Sequence, residues 1–484
     1  MFEPSELKNR IALNTRVVRL RRESKRVLLY TIDPDYHTTE RMGFLPPAWA
    51  IFLALLDGRR TQLEILEALR YTFDLPSIEV ARQSAKEMAE VLTQNFGADI
   101  FCDAPSTENY VPIKEYDPLS FVIEAKDVDV RGTRLDAPLD LNYIVTQACY
   151  RRCIYCYAEI DRAPIFQFLS AERFAELMDE ARELQINSVL FGGGEPFCRK
   201  DIVDLIGVAI DAGIWPFLST KAYLSKEVCK KLKEINVPFI QVSIDSHREN
   251  VVDFLTGSKG YSRQIMKTIK NLKEVAIPIR AKMVVTPFNV FDIPDFLQLL
   301  FRLGIIKFHF VRYGRSAFRH RDNLFVDDDA LQYARDEIEL FKDEHPGVRV
   351  DYNFHKSDVT EEDAKVDKDK RFSNRAICAV GRLGLTILPD GRAFACEQLP
   401  TADQFCFGDL KRQSIREVSN SEELRKVVMP PRDYFRGQAC FDCESFEHCH
   451  TNKGRCMRNA FILYGNAYAP DPYCPKAPPA PRQE

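Results

Sequence analysis

Cys149, Cys153 and Cys156 fall within eight residues, in Thr146-Gln147-Ala148-Cys149-Tyr150-Arg151-Arg152-Cys153-Ile154-Tyr155-Cys156-Tyr157, directly after the apolar run Leu141–Val145. Three thiolates this close can hold three corners of a cubane iron–sulfur cluster and leave the fourth iron without a protein ligand. Such an open iron can bind and reduce a small molecule, whereas four cysteines close a cluster for electron transfer. With 14 cysteines in 484 residues, chance supplies this spacing roughly 0.01 times per chain. A structural zinc site is the competing reading. Zinc takes four ligands, usually as two pairs, and the next cysteine, Cys198, lies more than 40 residues on.

The remaining composition narrows the setting. Basic and acidic residues nearly balance, 67 against 71, and no basic stripe points to nucleic acid. No apolar run has the length of a membrane span, and Met1-Phe2-Glu3-Pro4-Ser5-Glu6-Leu7-Lys8 lacks a signal peptide's apolar region. The expectation is a cytoplasmic protein with no membrane and no nucleic-acid partner. Reduced thiols there make a cysteine-rich chain a metal protein rather than a disulfide scaffold.

Residues 1–100 read as strands followed by helices. Thr15–Leu20 and Arg26–Ile32 are short strands, and a third extended stretch runs through His37–Phe44. Pro46-Pro47 opens a helix that ends at Asp57-Gly58. Thr61 caps Gln62–Phe73 with Glu64 placed for a capping box, and a third helix spans Ser77–Leu92. This order, with Leu55-Leu56-Asp57-Gly58-Arg59-Arg60-Thr61, resembles the PqqD-like RiPP recognition element, a winged-helix-like module. RiPPs are ribosomally made, post-translationally modified peptides, and the resemblance implies that the leader of a precursor peptide adds as a strand at the sheet edge. A winged-helix DNA reader shares the architecture, but Glu64, Glu67, Asp74, Glu79, Glu87 and Glu90 would face phosphates badly. Residues 101–137, with Pro105, Pro112 and Pro118, read as a linker holding one strand at Phe121–Glu124.

From 138 to 315 strands and helices alternate. Strands are expected at Leu141–Thr146, Ser188–Phe191, Trp215–Ser219, Phe239–Ile244, Arg280–Val285 and Lys307–Val311. Alternation predicts parallel strands with right-handed crossovers, and six units make an open barrel with ligands at the strands' carboxyl ends. The cysteine triplet sits at such an end. So does Gly192-Gly193-Gly194-Glu195-Pro196, whose glycines let backbone approach a ligand closely.

Together the triplet and Gly193–Pro196 resemble the radical S-adenosylmethionine (radical SAM) enzymes. The resemblance implies S-adenosylmethionine on the open iron of a 4Fe-4S cluster, cleaved reductively to a 5′-deoxyadenosyl radical. It also implies that Gly193, Gly194, Glu195 and Pro196 meet the methionine amino group. Ser243 and Asp245 match the family's Ser-x-Asp at the ribose or methionine. Ser219 stands at the family's Thr-Asn-Gly position, from which Thr220-Lys221 departs, and Tyr155 matches the aromatic beside adenine. Arg312, beyond the sixth strand, is a rim arginine able to bind a carboxylate. Cys102, Cys198 and Cys229 are expected as buried free thiols, with Cys198, close to Pro196, a candidate hydrogen-atom donor.

Residues 316–370 form a charged helical bridge (Asp327–Phe341), 371–474 are cysteine-dense with little regular structure, and the proline-rich 475–484 is expected to be a disordered tail. Cys378, Cys396, Cys440, Cys443, Cys449, Cys456 and Cys474, with Phe407-Gly408-Asp409-Leu410, resemble the SPASM domain, which carries two auxiliary iron–sulfur clusters. By that resemblance Cys440, Cys443, Cys449 and Cys474 close one cluster, and Cys378, Cys396 and Cys456 hold the other. Two departures stand out: six residues separate Cys449 from Cys456 where the family has three, and Gly384 replaces a further cysteine. The second cluster then has a free iron, or Cys406 reaches it. A zinc ribbon is the alternative for Cys440 and Cys443.

The expected whole is an α/β chain: a partial (β/α)6 radical SAM barrel, an N-terminal winged-helix-like module and a C-terminal SPASM iron–sulfur domain. The resemblance implies a maturase acting on a precursor peptide, with flavodoxin or ferredoxin as electron donor. Thioether, carbon–carbon or carbon–oxygen cross-linking, epimerisation and excision all remain open. A sulfatase-type protein maturase and a non-catalytic iron–sulfur electron carrier are the alternatives.

Overall fold

The structure, a computed structural model, describes residues 1–103, 114–131, 133–159, 167–319, 321–354, 370 and 372–479. It divides into two compact units, Met1–Gly132 and Thr133–Glu484.

The first unit contains β1 (Arg10–Leu13), β2 (Val18–Arg22), β3 (Val27–Ile32), β4 (Thr39–Leu45), α1 (Pro47–Leu55), β5 (Asp57–Thr61), α2 (Gln62–Thr72), α3 (Ile78–Phe96) and β6 (Phe101–Asp103). β2, β3 and β4 form an antiparallel meander with β3 central. β3 can be buried along its whole length because Val-Leu-Leu-Tyr-Thr-Ile offers apolar or hydrogen-bonding side chains to both faces. α1 starts at Pro47, whose missing N–H costs nothing in a first turn. The predicted capping box is present: Glu64 N donates to Thr61 Oγ1 at 3.3 Å, and Thr61 N donates to Glu64 Oε2 at 2.7 Å. α3 buries Ala81, Ala85, Ala89, Leu92 and Phe96, a single stripe at helical spacing.

The stretch expected as a linker differs. β6 pairs antiparallel with β1, which β5 flanks on its other side. No strand forms at Phe121–Glu124; Pro118–Phe121 is a 3-10 turn capped by Asp117. Phe121 enters the first unit's core, and Tyr116 OH accepts the Leu20 amide at 3.0 Å. These residues fold onto the first unit because their two aromatic side chains find its apolar surface. Pro105 and Pro112 lie outside the described residues.

The second unit is built on one ten-stranded sheet. β7 (Asp140–Thr146), β8 (Ser188–Gly193), β9 (Trp215–Thr220), β10 (Ile240–Ser243), β11 (Ile279–Val285) and β12 (Lys307–Arg312) run parallel in chain order. They are joined by α4 (Ala171–Glu183), α5 (Ile202–Asp211), α6 (Lys226–Glu234), the pair α7 (Glu249–Thr256) and α8 (Tyr261–Glu274), and α9 (Ile293–Arg302). The alternation then continues one unit further than expected. α10 (Asp328–Glu344), capped by Asp327, leads into β13 (Arg349–Tyr352), parallel to β12. Only Val350 of Arg349-Val350-Asp351-Tyr352 is aliphatic, so no apolar run marked the strand. Residues 355–369 lie outside the described residues.

The cysteine-dense region also contributes strands. β14 (Gly384–Ile387) pairs parallel with the free edge of β7, and β15 (Arg392–Phe394) and β16 (Cys406–Asp409) follow antiparallel. Four short helices follow, Ile415–Ser419, Glu422–Val428, Phe446–Thr451 and Met457–Tyr464. Barrel and C-terminal region thus share one sheet.

Strands of a parallel sheet are usually apolar on both faces. Here one parity is apolar: Leu141, Tyr143, Val145, Val189, Phe191, Ile240, Val242, Ala281, Met283, Phe308 and Phe310 join the main core. The other parity carries Asn142, Ser219, Gln241, Ser243, Arg280, Lys282 and His309, with Gln241 in register with both Ser219 and Arg280, and Lys282 with both Ser243 and His309. A polar inner face makes the barrel a place for a ligand rather than a second core. Among the described residues no helix is long and apolar enough to cross a membrane.

Candidate active site

The cysteine loop is mounted on the end of β8. Gly194 N donates to Thr146 O at 2.8 Å and Glu195 N to Ala148 O at 2.9 Å. A Cβ on Gly193, at φ +111°, would lie 2.2 Å from Thr146 O, and one on Gly194 would lie 2.2 Å from Ala148 O. Sequence reasoning assigned these glycines to close approach by a ligand. In the structure they admit the root of the cysteine loop. On the loop's other side Arg152 N and Ile154 N donate to Thr256 O and Leu255 O, both at 3.0 Å. Cys153 and Tyr155 are buried with Leu255, Tyr313 and Leu324.

A substitution isolates this contact. Gly194→Ala should destabilise the protein by on the order of 1–3 kcal/mol, because backbone rather than a flexible side chain blocks the methyl, and it should under-load iron at the triplet. Gly207→Ala, whose nearest neighbour would be Ile235 Cγ2 at 3.6 Å, is the control. Thermal melts and iron content after anaerobic reconstitution check the pair; equal iron loading in both would contradict this role for Gly194.

The three thiols act on one another. Burial pushes Cys153 up to about 12, eased by Lys221 and reinforced by Asp245, Cys156 and Cys149. Burial also raises Cys149, with Glu195 and Cys156 adding to it. A bound metal reverses this balance and holds thiols as thiolates. All three are free cysteines. Their number, loop position and lack of a fourth thiolate in the loop fit a cluster with one open iron. Among the described residues no three His, Cys, Asp or Glu gather about a single ion position; a cluster binds its thiolates to separate irons.

The polar residues around the loop form a frame. Asp245 is wholly buried. Its carboxylate accepts from Tyr155 OH and from Val284 N at 3.1 Å, and Lys221 Nζ lies 3.4 Å away. It therefore ties the cysteine loop to the ends of β9 and β11. Glu195 is buried too, accepting from Thr220 Oγ1 at 2.6 Å and Lys221 N at 2.7 Å, and burial raises its pKa. Pro196 opens a 3-10 turn that includes Cys198. Burial pushes Cys198 up to about 11, with Glu195 and Cys149 adding to it, so this thiol lies beside the loop. Ser219 and Ser243 hydroxyls stand 3.3 Å apart, and Gln241 Nε2 donates to Ser219 Oγ at 3.0 Å. Arg312 is exposed. Cys229 is buried, and Cys102 is partly so.

Several inner-face residues were missed. Asn142 Oδ1, Gln241 Oε1 and His309 Nδ1 are buried without a hydrogen-bond partner among the described residues. Burial pulls Lys282 down to about 8, with Lys221 adding, and His309 down to about 3, with Arg280 and Lys282 adding. Asn142 Nδ2 donates to Glu397 Oε2 at 2.8 Å, so the residue after Cys396 reaches the first barrel strand. A cavity of about 20 Å³ lined by Gln147, Tyr157, Glu159, Glu397 and Thr401 lies there. The available signal was a polar residue at every second position of strands such as Ile240-Gln241-Val242-Ser243.

The C-terminal cysteines fall into two groups. Burial pushes Cys440 up to about 11, Arg455 eases it, and Cys474, Cys449 and Cys443 add to it. Cys396 is likewise pushed up to about 11, with Cys456 among its neighbours, and Cys456 is acted on by Cys378. Cys406 does not join them. Its thiol donates to Ala402 O at 3.7 Å, and its charged neighbours are Arg392, Asp403 and Asp390.

Residues 143–300 match the radical SAM superfamily, and residues 378–450 match SPASM, an iron–sulfur cluster-binding domain. The chain therefore carries a radical SAM fold joined to a SPASM domain, whose cofactors are S-adenosylmethionine, a 4Fe-4S cluster and auxiliary iron–sulfur clusters. It is similar to PqqA peptide cyclase of Granulibacter bethesdensis, 25% identical over 354 residues that span 71% of this chain and 89% of the relative. Fe-coproporphyrin III synthase of Methanosarcina barkeri is 26% identical over 357 residues, 68% of this chain and 86% of its own. Among solved structures, Streptococcus suis SuiB bound to precursor peptide SuiA aligns at TM-score 0.62 and 16% identity, covering 96% of this chain and 99% of SuiB.

Proposed function

We propose that this chain is a radical SAM maturase that modifies a ribosomally made precursor peptide, with the first unit holding the peptide's leader. A cluster held by Cys149, Cys153 and Cys156 would, with S-adenosylmethionine, supply a 5′-deoxyadenosyl radical able to take hydrogen from an unactivated carbon. The chain's own residues supply the rest. Cys149, Cys153 and Cys156 would hold the iron, the frame of Asp245, Tyr155, Lys221 and Glu195 fixes the loop, and the polar inner face of β7–β12 would orient what enters the barrel. Flavodoxin or ferredoxin would reduce the cluster, and a reducing cytosol would keep the thiols free.

The observation that carries the peptide reading is a groove in the first unit. β4 is an edge strand, and beside it lies a cavity of about 330 Å³ lined by Met42, Phe44, Trp49, Val91, Leu92 and Phe96. An unpaired strand edge beside an apolar groove is what strand addition needs: main-chain bonds give affinity and alternate side chains fill the groove. The exposed face of α3 carries Glu79, Glu87 and Glu90, which disfavours nucleic acid. A peptide cyclase and a porphyrin-modifying enzyme match at nearly equal identity, so identity alone does not choose the substrate. The groove favours a peptide.

Titrating a fluorescently labelled leader, taken from a short peptide encoded beside this chain, against the full-length protein tests this reading. Saturable binding, competed by unlabelled leader and not by the core alone, is expected. Absence of leader binding would overturn the assignment of the first unit.

A further inference from the structure

Arg375 touches the group formed by Cys440, Cys443, Cys449 and Cys474, and Arg382 and Arg455 line one small cavity with Cys378, His450 and Gly454. Arg375 Nη2 donates to Cys449 Sγ at 3.4 Å and is held in place by Nε, which donates to Gly454 O at 2.8 Å. Lys476 Nζ donates to Cys443 Sγ at 3.6 Å. Arg382 and Arg455 are buried, at 3% and 7% exposure. Arg382 Nη2 donates to Val428 O at 3.2 Å and to His450 O, and Arg455 Nη1 donates to Ala469 O at 3.0 Å. Arg455 Nε is buried with no hydrogen-bond partner among the described residues. Gly454 is kept open, since a Cβ there would lie 2.9 Å from the Arg382 guanidinium.

Buried guanidiniums need a counter-charge, and among the described residues none of these three arginines forms an ion pair with a carboxylate. The groups that favour the charged form of Arg382 are Cys378 and Cys449, and for Arg455 Cys440 leads, followed by Asp471. Protonated thiols cannot neutralise them. Four thiolates on an iron–sulfur core can, and that negative charge grows by one when the cluster is reduced. Around the first triplet the balance differs: Glu195 and Asp245 press on Cys149 and Cys153, opposed by Arg152 and Lys221.

We infer that Arg375 and Lys476, with Arg455, raise the reduction potential of the cluster held by Cys440, Cys443, Cys449 and Cys474, and that Arg382, which faces both Cys378 and Cys449, acts on both C-terminal clusters. Cations and N–H···S bonds next to a cluster stabilise its reduced form. The couple is a one-electron reduction of the cluster in which no bond forms and no proton moves. The inference rests on the iron–sulfur reading of the C-terminal cysteines and is independent of the peptide reading.

Redox titration of the anaerobically reconstituted full-length protein, with dithionite as reductant and electron paramagnetic resonance as readout, tests it. Alanine at Cys149, Cys153 and Cys156 silences the first cluster, so only C-terminal signals remain. In that background Arg375→Gln should shift one midpoint to lower potential and Arg382→Met should lower both, Arg375→Lys should restore most of the Arg375→Gln shift, and the exposed Arg416→Gln should cause none. Unchanged midpoints with full iron content would overturn the inference. If Arg382→Met loses iron, Arg375→Gln decides. Loss of iron from both Arg375→Gln and Arg375→Lys would make the arginine a packing element and also overturn it. Absence of iron from the C-terminal region of the parent protein would instead remove the cluster reading itself.

Discussion

Alanine at Cys149, Cys153 and Cys156 together removes about four irons per chain, the content of one cubane, and abolishes 5′-deoxyadenosine formation. The effect should be all or none, because the open iron is the only proposed binding point for the methionine end of S-adenosylmethionine. The fold should survive. Of the three, only Cys153 is buried, and the loop keeps its backbone bonds to Gly194, Glu195, Thr256 and Leu255 through residues 146–154. Iron analysis, melting temperature and chromatographic assay of 5′-deoxyadenosine check the three parts. Retained cleavage in the triple variant would place the open iron elsewhere, and an unchanged iron count would remove the triplet as a cluster site.

Val91→Glu weakens leader binding by about tenfold or more, while cleavage of S-adenosylmethionine without peptide continues at the parent rate. Val91 lines the groove and is 40% exposed, so the charge costs the free protein little. In the complex it would be pressed against apolar leader side chains. Losing the burial of one such side chain costs about 1.5–3 kcal/mol, and 1.4 kcal/mol is a factor of ten. Every residue assigned to the cofactor lies in the second unit, which is why uncoupled cleavage should be unaffected. Leader titration beside a cleavage assay measures both. Unchanged leader affinity would move the binding surface off this groove, and a parallel loss of cleavage would mean the variant had damaged the fold.

The features legible in the sequence were those in which chemistry and local backbone rules coincide. The cysteine triplet, Gly193–Pro196 and the Thr61–Glu64 capping box each join a residue type to a fixed spacing. The six barrel strands announced themselves by apolar runs between amphipathic helices. What the sequence hid was long-range pairing. β6 and β14 are short and become strands only because β1 and β7 offer free edges, and β13 carries two charged residues among its four. The glycines of Gly193–Gly194 were found for a partly different reason from the one the structure gives, because a glycine that admits another loop and one that admits a ligand look alike in sequence. Asn142, Gln241, Lys282 and His309 went unremarked because a polar residue at alternate positions of a strand reads locally as an ordinary solvated face, and only the register lines them along one inner face of the sheet. Arg375, Arg382 and Arg455 stand close to Cys378 and Cys456 in sequence, but arginines are common and these acquire meaning only from the thiols they face in the fold.

The central claim is that radical chemistry in the barrel is delivered to a peptide presented by its leader. The direct measurement is to incubate the reduced, reconstituted protein with S-adenosylmethionine and a short leader-bearing peptide found encoded beside it, then follow peptide mass and 5′-deoxyadenosine together. The account predicts a mass change confined to the core, appearing in step with 5′-deoxyadenosine and lost when the leader is removed. Steady 5′-deoxyadenosine formation beside an unaltered peptide, with consumption of a porphyrin offered in its place, would contradict it.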